Sequence, residues 1–132
     1  MSTRAGHPLW FIAVGCIAAA VHWLTVVSLV ETAAWNPLVA NLGGWLVALG
    51  VSFSGHHRLS FRGHGTPMGR SSRRFALVSA AGFAVNEAVY AATLNWSGLG
   101  YQLLLAIVLI LVAGLTWLLS RHWVFRGRPA HR

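Results

Sequence analysis

A chain of 132 residues that is 56% hydrophobic and 9% charged lacks the polar surface of a soluble domain, in which roughly 25% of residues are charged. Its two acids, Glu31 and Glu87, stand against ten arginines and no lysine, for a net charge of +8. The arginines sit in three short clusters between apolar runs, which suits anionic phospholipids or an anionic lipid-linked ligand and argues against nucleic acid.

In chain order, Arg4 precedes a first apolar run over residues 9–30. Its 22 residues exceed the 7–15 residue core usual in a signal peptide, so it is expected to be retained as a helix. Cys16, inside this run, is the only cysteine, so no intramolecular disulfide can form. After the arginine-free connection 31–37, a second run covers 38–55. Arg58, Arg62, Arg70, Arg73 and Arg74 separate it from a third run over 75–94. The connection 95–101 again lacks arginine, and a fourth run over 102–119 ends in Arg121, Arg126, Arg128 and Arg132.

Each run has 18 to 22 residues, close to the roughly 20 a helix needs to cross a bilayer core. None alternates as a barrel strand would. The expected fold is an all-α membrane protein of four transmembrane helices, in a single membrane domain over 1–132. Short arginine-rich segments stay in the cytoplasm, which places both termini and the 56–74 segment on the cytoplasmic side. Trp10 and Trp123 then suit the inner interface, and Trp35, Trp96 and Tyr101 the outer one.

Slid against itself by 64 positions without a gap, the sequence places Phe11 on Phe75, Val14 on Val78, Ala20 on Ala84, Val21 on Val85 and Gly50 on Gly114. Apolar identities between membrane helices are cheap, but Phe61-Arg62-Gly63 also falls on Phe125-Arg126-Gly127, in a polar stretch. The chain therefore reads as two helical hairpins, 9–62 and 75–126, joined by a linker at 63–74. A hairpin has an even number of helices, so the copies enter from the same side as parallel repeats.

Phe75-Ala-Leu-Val-Ser79, with Asn86 eleven residues beyond the Phe, resembles the opening signature of the GtrA-like family. Thr116-Trp117-Leu-Leu-Ser120-Arg121-His122-Trp123-Val124-Phe125 resembles that family's closing Asn-Phe-x-x-Asn-Arg-x-Trp-x-Phe pattern. The likeness covers about residues 9–126, with Thr116 (and Ser52 in the first repeat) where the family has Asn, and Ser79 where the first repeat has Gly15. The resemblance implies a bacterial cytoplasmic (inner) membrane protein of cell-surface polysaccharide synthesis that moves polyprenyl-phosphate-linked sugars across the membrane, or helps the glycosyltransferases that use them.

Glu87 lies 13 residues beyond Arg74, about 20 Å along the helix and past the midplane. An acid there costs on the order of 3 kcal/mol to insert and normally faces a bundle interior or a cavity. It is a candidate contact for sugar hydroxyls or a proton-coupling acid; the structural alternative is a protonated side chain hydrogen-bonded between helices. His22 occupies the repeat position of Asn86, so His22, Asn86 and Glu87 are expected at one depth, which allows a direct His22–Glu87 interaction; the alternative is a buried structural histidine. Asn41 admits three readings: a cap, an interhelical bond or a substrate contact. Glu31, at a helix end, is read as solvated. Gly43, Gly44, Gly50 and Gly114 are small positions where helices can approach closely.

A second candidate group lies at the cytoplasmic helix ends. Ser52, His56, His57 and Arg58 are matched by Thr116, Ser120, Arg121 and His122. The arginine fork suits phosphate oxygens at headgroup depth, although any cytoplasmic arginine also sets topology and meets lipid. No phosphate loop, zinc spacing or nucleophile–base–acid set is present, so neither enzymatic chemistry nor a cofactor or metal is expected. The leading expectation is a flippase for a polyprenyl-phosphate sugar, working as a homo-oligomer because four helices enclose little volume. The alternative is a scaffold that recruits or stabilises a membrane glycosyltransferase. A small proton-coupled multidrug exporter fits less well, since the charge bias is extreme and the acid is in the third helix.

Overall fold

The computed structural model of the protein describes residues 8–59 and 68–124, with side chains described for 12–55, 73 and 76–115. Four helices are present: α1 (Pro8–Ala33), α2 (Pro37–Leu59), α3 (Met68–Leu94) and α4 (Tyr101–Val124). Three contain segments long and apolar enough to cross a membrane, Ile12–Ala33, Pro37–Gly55 and Ala76–Leu94, and the described side chains of α4 are apolar over Tyr101–Leu115. α3 begins inside the stretch expected as linker, because Met68, Arg70 and Ser71 are compatible with a helix even where hydrophobicity has ended.

The turns are set by local chemistry. Asn36 caps α2: its Oδ1 accepts the Leu38 N–H at 2.9 Å, and Pro37 takes the first helical position, where no N–H is needed. α1 ends on Ala34 in the left-handed region (φ 53°), which lets the Trp35 N–H reach back to the Leu29 carbonyl at 3.2 Å. Between α3 and α4 the positive φ falls on Gly98 (65°), where it is unstrained.

Successive helices run antiparallel, and each packs on its chain neighbours, with α4 closing on α1. The ends joined by residues 34–36 and 95–100 are called here the loop end, and the opposite ends the linker end. α1 and α2 make the most extensive contact. Glycine permits it: a Cβ at Gly44 would stand 2.6 Å from His22 Cδ2 and 2.9 Å from the His22 carbonyl, and one at Gly55 2.9 Å from Val14 Cγ1. Gly43 lies against Leu29 in the same way (3.0 Å). Gly50 and Gly114, expected to serve the same purpose, have nothing within 4 Å of an added Cβ and face away from other helices.

The apolar core gathers toward the loop end, around Val26, Ala40, Tyr90, Leu104, Leu105 and Val108. Toward the linker end the two hairpins differ. Val14 is 5% exposed and Ala18 and Ala48 are buried, whereas Val78 is 70% exposed and no residue over 76–85 or 109–115 is buried.

Candidate functional site

Among the described residues, three polar side chains are buried, His22, Asn41 and Asn86, and they touch one another. His22 projects from the middle of α1, Asn41 from the second turn of α2, and Asn86 from α3 two turns before its end. His22 Nε2 donates to Asn41 Oδ1 at 2.7 Å. Asn41 Nδ2 donates to Asn86 Oδ1 at 2.9 Å and also to Glu87 Oε2. Glu87 itself is half-buried.

Asn41 is thus the hub. The direct His22–Glu87 contact that the sequence allows does not form, because α1 and α3 lie diagonally across the bundle and Asn41 of α2 fills the space between them. Of the three readings open for Asn41, the structure selects the interhelical bond. The close approach at Gly44, one turn from Asn41, is what brings α1 near enough for His22 to reach it.

Further along the α2–α3 seam, Trp45 stacks on Phe83 with ring centroids 4.8 Å apart and donates its indole N–H to Ser79 Oγ at 3.1 Å. The α1–α4 seam is tied differently. The Trp23 indole N–H donates to the Gln102 carbonyl at 2.9 Å, and Glu31 accepts from the Tyr101 hydroxyl and from Gln102 Nε2. Glu31 is exposed, as expected, but it is a cross-helix tie rather than a merely solvated acid. Tyr90, fully buried, extends this group by donating to the Tyr101 carbonyl at 3.3 Å.

The second candidate group is spread over the linker ends. Ser52 is half-buried in α2, eleven residues or about 16 Å along the helix from Asn41. His56, His57 and Arg58 lie on the last turns of α2, and Thr116, Ser120, Arg121 and His122 on those of α4; their side chains lie outside the described residues.

An energy comparison sets what the polar cluster costs against what it holds together. Interhelical hydrogen bonds in membranes average about 0.6 kcal/mol, so the three bonds of Asn41 contribute roughly 2 kcal/mol. Placing one acid at this depth costs on the order of 3 kcal/mol, before the imidazole and two amides are counted. An apolar packing of the same volume would hold these helices at least as well. The arrangement can recognise hydroxyl and amide groups by hydrogen bonding inside the bilayer.

Comparison with characterised proteins and with solved structures gives no match. The model of one family, described as "GtrA/DPMS, transmembrane domain", does match, over residues 10–125. That span takes in the first run from its second residue, the other three runs whole, and both motifs on which the resemblance was based. The chain is a membrane protein and belongs to the GtrA/DPMS transmembrane-domain family.

Proposed function

We propose that the protein moves a polyprenyl-phosphate-linked sugar across the cytoplasmic membrane, for cell-surface polysaccharide synthesis or glycosylation. One observation carries this reading: a hydrogen-bonded chain from α1 through α2 to α3, His22–Asn41–Asn86/Glu87, inside an otherwise apolar bundle whose family fits sugar-lipid translocation. The chain of polar groups meets the sugar, the prenyl tail stays in lipid, and Arg58 and Arg121 take the phosphate at headgroup depth. All four helices span the bilayer with both termini in the cytoplasm, in keeping with the ten-to-none arginine distribution. The protein acts by binding and carrying, not by catalysis, and works as a homo-oligomer.

Burial supports the parallel repeat. His22 and Asn86, Val26 and Tyr90, Ala40 and Leu104, Asn41 and Leu105, and Gly44 and Val108 are pairs separated by 64 positions, and all ten residues are buried.

The test is a headgroup-flipping assay in liposomes across several polyprenyl-phosphate hexoses and pentoses. Wild-type protein is expected to move at least one of them, and Glu87→Ala, His22→Ala and Arg121→Ala to reduce its movement at least tenfold while remaining folded. Wild-type rates from all three variants would overturn the reading. No flipping by the isolated protein, together with co-purification of a glycosyltransferase, would favour the scaffold instead.

A further inference from the structure

The Asn41 side chain is fully committed. Its two N–H bonds go to Asn86 Oδ1 and Glu87 Oε2, and its oxygen accepts from His22. Because a carboxamide has one donor end and one acceptor end, these bonds also orient the neighbours. Asn86 is held with its oxygen toward Asn41, so its NH2 group points the other way. Glu87 is held by one oxygen, and among the described residues its Oε1 has no partner. Asn86 Nδ2 likewise has no partner among the described residues, so an amide donor and a carboxylate acceptor stand on consecutive residues of α3, aimed by a residue of α2.

Two adjacent hydroxyls on a sugar ring need that combination, since one can donate to a carboxylate while its neighbour accepts from an amide. We infer that Asn41 is a positioning residue: it sets Asn86 and Glu87 as a donor–acceptor pair for vicinal hydroxyls of the headgroup. This rests on the translocation reading above and narrows it to a headgroup with an intact diol. Through His22 the same amide ties the pair to α1, so a displacement of α1 against α2 withdraws one of the bonds that fix it. Leu105, the counterpart of Asn41 in the second hairpin, is equally inaccessible (both 0% exposed), and leucine has the branching and heavy-atom count of asparagine with a larger volume, so Asn41→Leu removes the amide at some cost in overpacking.

The experiment compares wild type with Asn41→Leu in liposomes, using the polyprenyl-phosphate sugar that the wild type moves best and two analogues of it, each lacking one hydroxyl of a vicinal pair. The wild type is expected to prefer the parent sugar about tenfold or more over each analogue, as a site with unpaired buried partners does. Asn41→Leu is expected to lose that preference, with half-saturation for the parent raised about tenfold and little change for the analogues. Combined with Asn86→Ala, the losses should fall well short of additive. A merely structural role would lower the rates for all three lipids by one common factor, and that outcome overturns the inference. So does a wild type that moves the parent and both analogues alike, which leaves the translocation reading standing; a wild type that moves no sugar overturns that reading itself. Should Asn41→Leu fail to fold, the isosteric Asn41→Asp, which has at most one O–H and so cannot donate to Asn86 and Glu87 together, carries the same comparison. Failure of both to fold would make Asn41 structural cement and sink the proposal.

Discussion

At the scale of single residues, Glu87 poses a balance that can be measured. Removing the acid relieves an insertion cost on the order of 3 kcal/mol but strands an Asn41 N–H, at about 1–3 kcal/mol. Glu87→Leu is therefore expected to leave thermal stability in detergent nearly unchanged while lowering flipping at least tenfold. Glu87→Gln keeps an acceptor for Asn41 and should preserve the fold, which isolates the contribution of the charge or proton to transport. If stability and transport instead fell in step in both variants, the acid would be structural. His22, Asn86 and Glu87 were legible in the sequence because a polar residue in a 20-residue apolar run is conspicuous. The role of Asn41 was not. It lies 45 residues from Asn86, and nothing local at the start of α2 says whether its amide caps the helix or reaches α3. The same holds for Glu31, whose partners Tyr101 and Gln102 are 70 and 71 residues away.

At the scale of elements, the glycines separate two kinds of position that look alike in sequence. An alanine at Gly44 would drive its methyl into the His22 backbone carbonyl, which cannot yield without shifting α1. Gly44→Ala is expected to cost about 1–3 kcal/mol and to impair transport as well, by displacing His22 from Asn41. Gly50→Ala meets open space and should change neither by more than a few tenths of a kcal/mol, or raise stability slightly through helix propensity. Equal effects of the two substitutions in a detergent melting experiment would refute this account of the α1–α2 contact. At the turn, Ala34→Gly relieves a left-handed alanine and should raise stability by about 0.5–1 kcal/mol, provided the helix end keeps its shape. Hydrophobic runs located the helices well, since an unbroken apolar run of about 20 residues satisfies its backbone groups within lipid only as a helix. Their linker-side ends were less legible, because backbone hydrogen bonding continues through Met68–Arg74 after the apolar run has stopped.

At the scale of the molecule, the two hairpins are alike where they meet and unlike where they part. The glycines that let α1 and α2 close, Gly43, Gly44 and Gly55, have Ile107, Val108 and Leu119 as counterparts 64 positions on. Bulky residues at a helix–helix contact raise the interaxial distance within a range of about 8–10 Å. The first hairpin is buried toward the linker end and the second is not, with Val14 at 5% and Val78 at 70% exposure. A repeat legible as a 64-residue offset could not reveal this asymmetry by its identities; it lies in the positions where the copies differ. For a carrier, a hairpin buried toward the linker end beside one that is exposed there is a mechanical arrangement: α3 carries Asn86 and Glu87, so movement of α3 against α4 carries the candidate sugar contacts with it. Locking the second hairpin should therefore stop transport, and locking the first should not. In a Cys16→Ala background, a thiol-specific cross-link between Gly82→Cys and Leu115→Cys is expected to reduce flipping at least tenfold, with recovery once a cleavable linker is reduced. The matched pair Ala18→Cys and Val51→Cys in the first hairpin should retain most of the rate. Cross-linked second hairpins that still flip at the uncross-linked rate would mean that the sugar passes without relative movement of α3 and α4, over a static polar path past Asn86 and Glu87.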